Sequence, residues 1–196
     1  MPEGKQIAKR SAEWMADREG GAQTLSFIVT EDCNLRCKYC YVCHKKSNHV
    51  MTLETAKKFI NYVFSGEAEF PPAVILDFIG GEPLIEAELI DQIVDYFKIK
   101  AYEENSPWYW NYRISITTNG VNYASPQVQK FIAKNREKLS LSITLDGTKE
   151  KHDMQRVFPD GSGSYDTIIQ NIPQYIKDFY PTTKVTFSHG HLPILK

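Results

Sequence analysis

Outside residues 33–43 this chain of 196 residues has no cysteine at all. That distribution excludes a disulfide framework, because disulfides staple distant segments and neighbouring thiols in one loop gain little by pairing. No window approaches the roughly 20 apolar residues of a membrane span. The opening residues, MPEGKQIAKRSAEWMADREGG, lack the apolar centre of a secretory signal. Net charge is nearly absent too: 23 Lys and Arg against 24 Asp and Glu leave −1. No global field then draws the chain toward nucleic acid or anionic lipid. Neither a repeat nor a low-complexity tract occurs. These absences lead us to expect a cytoplasmic protein with no nucleic-acid and no membrane partner, in a compartment that keeps its thiols reduced.

What is present is enough for a core. With 42% hydrophobic and 12% aromatic residues, the chain can bury one domain without needing a metal merely to fold. We read residues 1–23 as an N-terminal extension and 24–196 as that domain. TLSFIVT (24–30) places Leu25, Phe27 and Val29 on one face, the period of a strand. Thr52 is a good N-cap for a helix with Leu53, Ala56, Ile60, Val63 and Phe64 at helical spacing. AVILDFIGGEP is a nearly continuous apolar run ending in two glycines, as in a strand covered on both faces. A second helix carries Leu89, Ile90, Ile93, Val94 and Phe97, and YEENSPWYW follows as a loop. YRISITTNG reads as a strand and SPQVQKFIAK as a helix capped by Ser125 with Pro126 in its first turn. LSLSITLDG is the fourth strand, HDMQRVFPDGSGS a loop, and Ser164 caps a last helix that Pro173 should kink or split. KVTFSH opens a fifth strand. Five strands alternating with four helices define an α/β class with a parallel sheet, and right-handed crossovers would curve it toward a barrel.

Each strand ends in polar or glycine-rich residues: the cysteine loop, GGEP, TTNG, LDG and SHG. Ligands of parallel α/β folds bind at the C-terminal ends of the strands, so one site at that rim would account for all five endings. The thiols fit it. Cys33, Cys37 and Cys40 form CxxxCxxC, and Cys43 lies three positions further on. Four thiolates, or three and His44, could close a tetrahedral zinc site, although structural zinc usually joins two separated ligand pairs. Three thiolates on a cubane would instead leave one iron open to a small molecule. A choice of Cys37, Cys40 and Cys43 would give CxxCxxC, nearer a ferredoxin run.

The pattern CNLRCKYC directly after a first strand, with Tyr39 before the third cysteine, resembles the signature of the radical S-adenosylmethionine (radical SAM) superfamily, and GGEP at the end of the second strand matches its second motif. Asn119-Gly120, SITLDG at 142–147 and HDMQR at 152–156 before DGSGSY are similar to the subgroup that modifies peptides and proteins, which includes peptide maturases and activators of anaerobic sulfatases. The resemblance implies a partial (β/α)6 TIM-like barrel with a 4Fe-4S cluster on Cys33, Cys37 and Cys40. It also implies S-adenosyl-L-methionine on the fourth iron, whose reductive cleavage gives a 5'-deoxyadenosyl radical that takes hydrogen from the substrate. The partners it implies are a peptide or protein substrate and an electron donor such as flavodoxin or ferredoxin.

Cofactor contacts are expected from Tyr39, Gly80, Gly81, Glu82, Pro83, Asn119, Ser142, Asp146 and Arg156. Gly80 and Gly81 would let a backbone approach a ligand, Glu82 would accept hydrogen bonds from an ammonium, and Pro83 would fix the turn. Ser142 would contact the cofactor from the fourth strand, and Arg156 offers a fork suited to a carboxylate. Asp146 would reach substrate or ribose. Cys43 is then a thiol near the cluster rather than a ligand. His44, His49, His152, His189 and His191 are read as solvated or as local hydrogen-bond partners, HKK at 44–46 as a solvated loop, and Trp108, Tyr109 and Trp110 as packing or a substrate platform. Relatives of this type carry a sixth strand and a C-terminal extension with auxiliary clusters. The sequence ends after the fifth strand and has no later cysteine, so we expect an incomplete barrel, either a fragment of a longer enzyme or a shortened product.

Overall fold

The computed structural model describes residues 21–42, 45, 48–66, 71–179 and 183–184. Strands β1 (Ala22–Thr30), β2 (Ala73–Gly80), β3 (Tyr112–Thr118), β4 (Leu139–Thr144) and β5 (Thr183–Lys184) alternate with helices α1 (Leu53–Phe64), α2 (Ala87–Glu103), α3 (Pro126–Asn135), α4 (Lys149–Gln155) and α5 (Tyr165–Asp178). All pairings are parallel, in the order β1-β2-β3-β4-β5. A doubly wound sheet reverses its order at a switch point; this one never does. Right-handed crossovers therefore all fall on one side, and the sheet is part of a barrel wall.

Its outer face holds the core. Leu25, Phe27, Val29, Val74, Leu76, Phe78, Ile114, Ile116, Leu141 and Ile143 are buried together with Ile60 of α1, Ile90 and Phe97 of α2 and Phe131 of α3. Each such side chain contributes about 1.5–3 kcal/mol of transfer free energy. The inner face is polar. Ser26, Asp77, Ser115 and Ser140 stand in one row across four strands, and β2 is buried only at alternate residues. The continuous apolar run of β2 therefore does not mean cover on both faces, because Ile75 and Ile79 flank Asp77 on the partly exposed inner side.

Other departures have local causes. Lys149–Gln155 is helical rather than loop, and Pro173 lies inside an unbroken helix. Thr52 caps α1 through its hydroxyl, which accepts from the Thr55 amide at 3.1 Å. Ser125 and Ser164 precede their helices without making that bond. Trp108 is fully buried against Phe64 and Phe97, and its indole donates to the Pro71 carbonyl at 2.7 Å. Trp108 is thus core, whereas Trp110 is exposed. No helix among the described residues is long and apolar enough to cross a membrane. Cys43, His44, His189, His191 and most of the expected fifth strand lie outside the described residues.

Candidate active site

The cysteine loop leaves β1 and is pinched at its base, where Glu31 N donates to His49 O and Met51 N to Val29 O. Its middle is tied to the far side of the sheet: Arg36 N donates to Val157 O at 2.7 Å and Lys38 N to Gln155 O at 2.9 Å. The loop thus crosses the C-terminal rim from β1 to the end of α4. The GGEP turn docks beneath it, with Gly81 N donating to Thr30 O and Glu82 N to Asp32 O, both at 2.8 Å. A Cβ on Gly80 would stand 2.2 Å from Thr30 O, and one on Gly81 2.0 Å from Asp32 O. Those glycines are required by the backbone of the cysteine loop itself, and the close approach expected to a ligand is first an approach to protein.

Glu82 is buried, and its carboxylate accepts from Leu84 N, from the Thr118 hydroxyl at 2.6 Å and from Asn119 N at 2.7 Å. Burial pushes its carboxyl above the usual range against those three donors. Glu82 therefore straps the end of β2 to the end of β3, with most of its acceptor capacity used inside the protein. Asn119 in turn donates to Asn34 Oδ1 at 2.7 Å and approaches the Cys33 sulfur at 3.7 Å. Its side chain connects β3 to the first cysteine.

On the other flank, the Tyr39 phenol donates to Asp146 Oδ2 at 2.5 Å and accepts from Arg156 Nη1 at 2.6 Å. Burial, then the bond to Asp146, pushes this phenol up to about 12, so it stays a neutral bridge between two charges. Arg156 and Asp146 are both buried, 3.8 Å apart. Behind them His152, fully buried, receives Asp146 N–H at Nδ1 (3.2 Å) and meets the Ser164 hydroxyl at Nε2 (3.0 Å). Since that hydroxyl donates to Arg156 O at 2.8 Å, Nε2 must carry the proton, and the imidazole is neutral. The HDMQR segment, placed by the sequence in a loop and read as a motif with Arg156 as a cofactor contact, is thus also a structural interlock. Its signal was the His and Arg four positions apart, which share one helical face.

Burial lowers the His152 pKa below the ordinary 6.5, with the Arg156 charge acting in the same direction. The folded state then binds fewer protons than the unfolded one below 6.5, and the stability held by neutral His152 is lost as pH falls from 6.5 through the folded-state value. We expect thermal melts between pH 7.5 and 5.5 to show a stability gap between wild type and His152→Gln that narrows as pH falls. A gap constant with pH would refute the neutral buried assignment.

A cleft of about 640 Å³ gathers these parts, lined by Cys33, Cys37, Cys40, Tyr39, Lys45, Asp77, Gly80, Gly81, Glu82, Pro83, Thr117, Asn119, Thr144 and Arg156 among others. Of the expected site residues only Ser142 and Asp146 do not line it. Ser142 lies on the inner face of β4, level with Thr117, and Asp146 sits behind Tyr39. Burial pushes the Cys33 and Cys37 thiols up, the latter against the attraction of Arg156, so taking up metal must expel their protons. Among the described residues no three His, Cys, Asp or Glu side chains converge as ligands of one ion do. Ligands of a cubane bind separate irons and stand further apart. The donor set also suits a zwitterionic cofactor: Arg156 lines the cleft with a buried Nε that has no acceptor among the described residues. Sequence reading missed Lys45, placed there in a solvated loop, and Asp77, which carries no motif.

Sequence comparison agrees with this geometry. The Radical SAM superfamily profile matches residues 27–192, and the chain belongs to that superfamily. Its members are enzymes that use a 4Fe-4S cluster and S-adenosylmethionine. An uncharacterized protein of Methanocaldococcus jannaschii is 32% identical over 180 residues, 90% of this chain and 57% of its own length. A cysteine-type anaerobic sulfatase-maturating enzyme of Clostridium novyi is 31% identical over 160 residues, 76% of this chain and 40% of its own. The solved structure of native anSMEcpe with bound AdoMet and Kp18Cys peptide shares the fold, with a TM-score of 0.67 at 23% identity over 84% of this chain and 43% of that one. The chain spans about half the length of these relatives, or less.

Proposed function

We propose that this chain carries the cluster- and S-adenosylmethionine-binding core of an enzyme that modifies a peptide or protein, read first as a maturase of a ribosomally made peptide that forms a thioether or other crosslink. The observation that carries this reading is the single cleft in which the three CxxxCxxC thiols face the GGEP turn, Asn119 and the buried fork of Arg156. Cys33, Cys37 and Cys40 would hold the cluster. Arg156, whose Nε has no acceptor among the described residues, would bind the carboxylate of the methionine moiety, and the GGEP backbone would border its amine. When bound, the two cofactors supply one-electron cleavage of a sulfonium bond and hydrogen-atom abstraction from the substrate.

The chain's own residues position and shield. Glu82 fixes the rim of β2 against β3, and the Tyr39–Asp146–Arg156 bridge holds the cysteine loop over the sheet. The polar inner row leaves room for a substrate strand, with an electron donor such as flavodoxin or ferredoxin acting from the cytoplasm. A second reading, oxidation of a Cys or Ser to formylglycine, is favoured by the 31% identity to a sulfatase-maturating enzyme. Anaerobic reconstitution with iron and sulfide is expected to give a reduced-state EPR signal that changes when S-adenosylmethionine is added. A signal indifferent to the addition would overturn the proposal, and product analysis with Cys-containing sulfatase and precursor peptides would separate the two substrates.

A further inference from the structure

The three cleft sulfurs are served unequally. Cys33 Sγ receives the Leu35 amide at 3.4 Å and the neutral Asn119 carboxamide at 3.7 Å. Near Cys37 the strongest attraction is the charge of Arg156, which bonds elsewhere, to the Tyr39 phenol. Cys40 alone among them has an ammonium directly on its sulfur: Lys45 Nζ stands 2.8 Å from Cys40 Sγ, and the side chain is half-buried along the cleft. No carboxylate of the described residues forms an ion pair with Lys45, so its charge is directed at the sulfur. A surface lysine in a loop is ordinarily hydrated and worth little. Held against a sulfur inside a cleft, the same charge acts at lower effective dielectric.

We propose that Lys45 is a positioning residue that sets the reduction potential of the cluster, by donating a charged hydrogen bond to the Cys40 ligand sulfur. This rests on the reading above that Cys40 is a cluster ligand. Reduction adds one electron, and hence one negative charge, to a centre whose thiolate ligands already share its electron density. A cation bonded to one of those sulfurs stabilises the reduced state more than the oxidised one and so raises the potential. No covalent bond is made or broken at Lys45. Without the ammonium an electron donor of given potential would fill the cluster less often.

The test uses the full chain, reconstituted anaerobically with iron and sulfide, as wild type, Lys45→Gln and Lys45→Arg. Iron and sulfide content and thermal melting establish equal loading and folding, and an EPR-monitored redox titration without S-adenosylmethionine reads the potential. Lys45→Gln is expected to need a more negative potential, with on the order of tenfold less reduced cluster at a fixed applied potential, about 59 mV for one electron. Lys45→Arg should stay near wild type. Equal potentials for Lys45→Gln and wild type at equal iron content would overturn the inference and leave the proposed function standing. A wild-type chain that takes up no 4Fe-4S cluster would overturn both.

Discussion

Alanine at Cys33, Cys37 or Cys40, one at a time, is expected to remove the broad visible absorption of the reconstituted protein and cut its iron content to near background. Cleavage of S-adenosylmethionine should fall below detection. The physical reason is that three thiolates are the least that hold a cubane while leaving an iron open, and each missing corner also exposes the cluster to solvent and oxygen. Cys33 is buried at the root of the loop, while Cys37 and Cys40 are partly exposed along the cleft. All three losses should nonetheless be complete, because ligand count rather than burial decides retention. Cys43→Ala is expected to keep its iron. Loss of the cluster in Cys43→Ala, with retention in Cys33→Ala, would shift the ligand set to Cys37, Cys40 and Cys43.

Arg156→Ala should produce the largest loss of stability. The guanidinium and Asp146 are both buried, with side-chain exposures of 8% and 0%, and Tyr39 links them. Removing the cation takes the opposite charge away from a buried carboxylate, and breaking a buried pair in this way costs about 3–5 kcal/mol. For a chain of this size that corresponds to a fall of roughly 6–20 °C in Tm. Arg156→Lys should recover little, since an ammonium cannot reproduce the planar fork that meets the phenol. Because the bridge anchors the cysteine loop, both variants should also lose cluster more readily to a chelator. A melt within about 1 °C of wild type for Arg156→Ala would show that the bridge does not stabilise the folded chain.

The core was legible because its signal is periodic. Alternation in TLSFIVT placed Leu25, Phe27 and Val29 on one face, and helical spacing found Ile60, Ile90, Ile93, Val94 and Phe97; all of them are buried. Motif spacing likewise brought out the thiols and GGEP, which share one cleft. Periodicity failed where a residue's partner is remote. The interior placement of Trp108 depends on Phe64 and Phe97, and that of His152 on Asp146 and Ser164. Local sequence names neither set of partners: Trp108 has two aromatic neighbours in sequence that read alike, and the His152–Arg156 spacing gives a shared helical face but not what that face meets. The run AVILDFIG read as doubly covered because an apolar count cannot tell the helix-packed face of a strand from a partly exposed inner one.

Composition and local order by themselves determined the alternating α/β class and which apolar residues share a strand or helix face, since side-chain period survives in one dimension; the chemistry followed from the resemblance that the thiol spacing and GGEP carry. Only the tertiary structure decided what the polar and glycine-rich strand ends are for. Gly80 and Gly81 make room for the cysteine loop's backbone, Glu82 spends its acceptors strapping two strands, and Lys45 leaves solvent for a sulfur. Such roles are set by distances between residues far apart in the chain, as between Tyr39 and Arg156, and those distances do not exist until the parallel strands are wound in order and their ends meet at one rim.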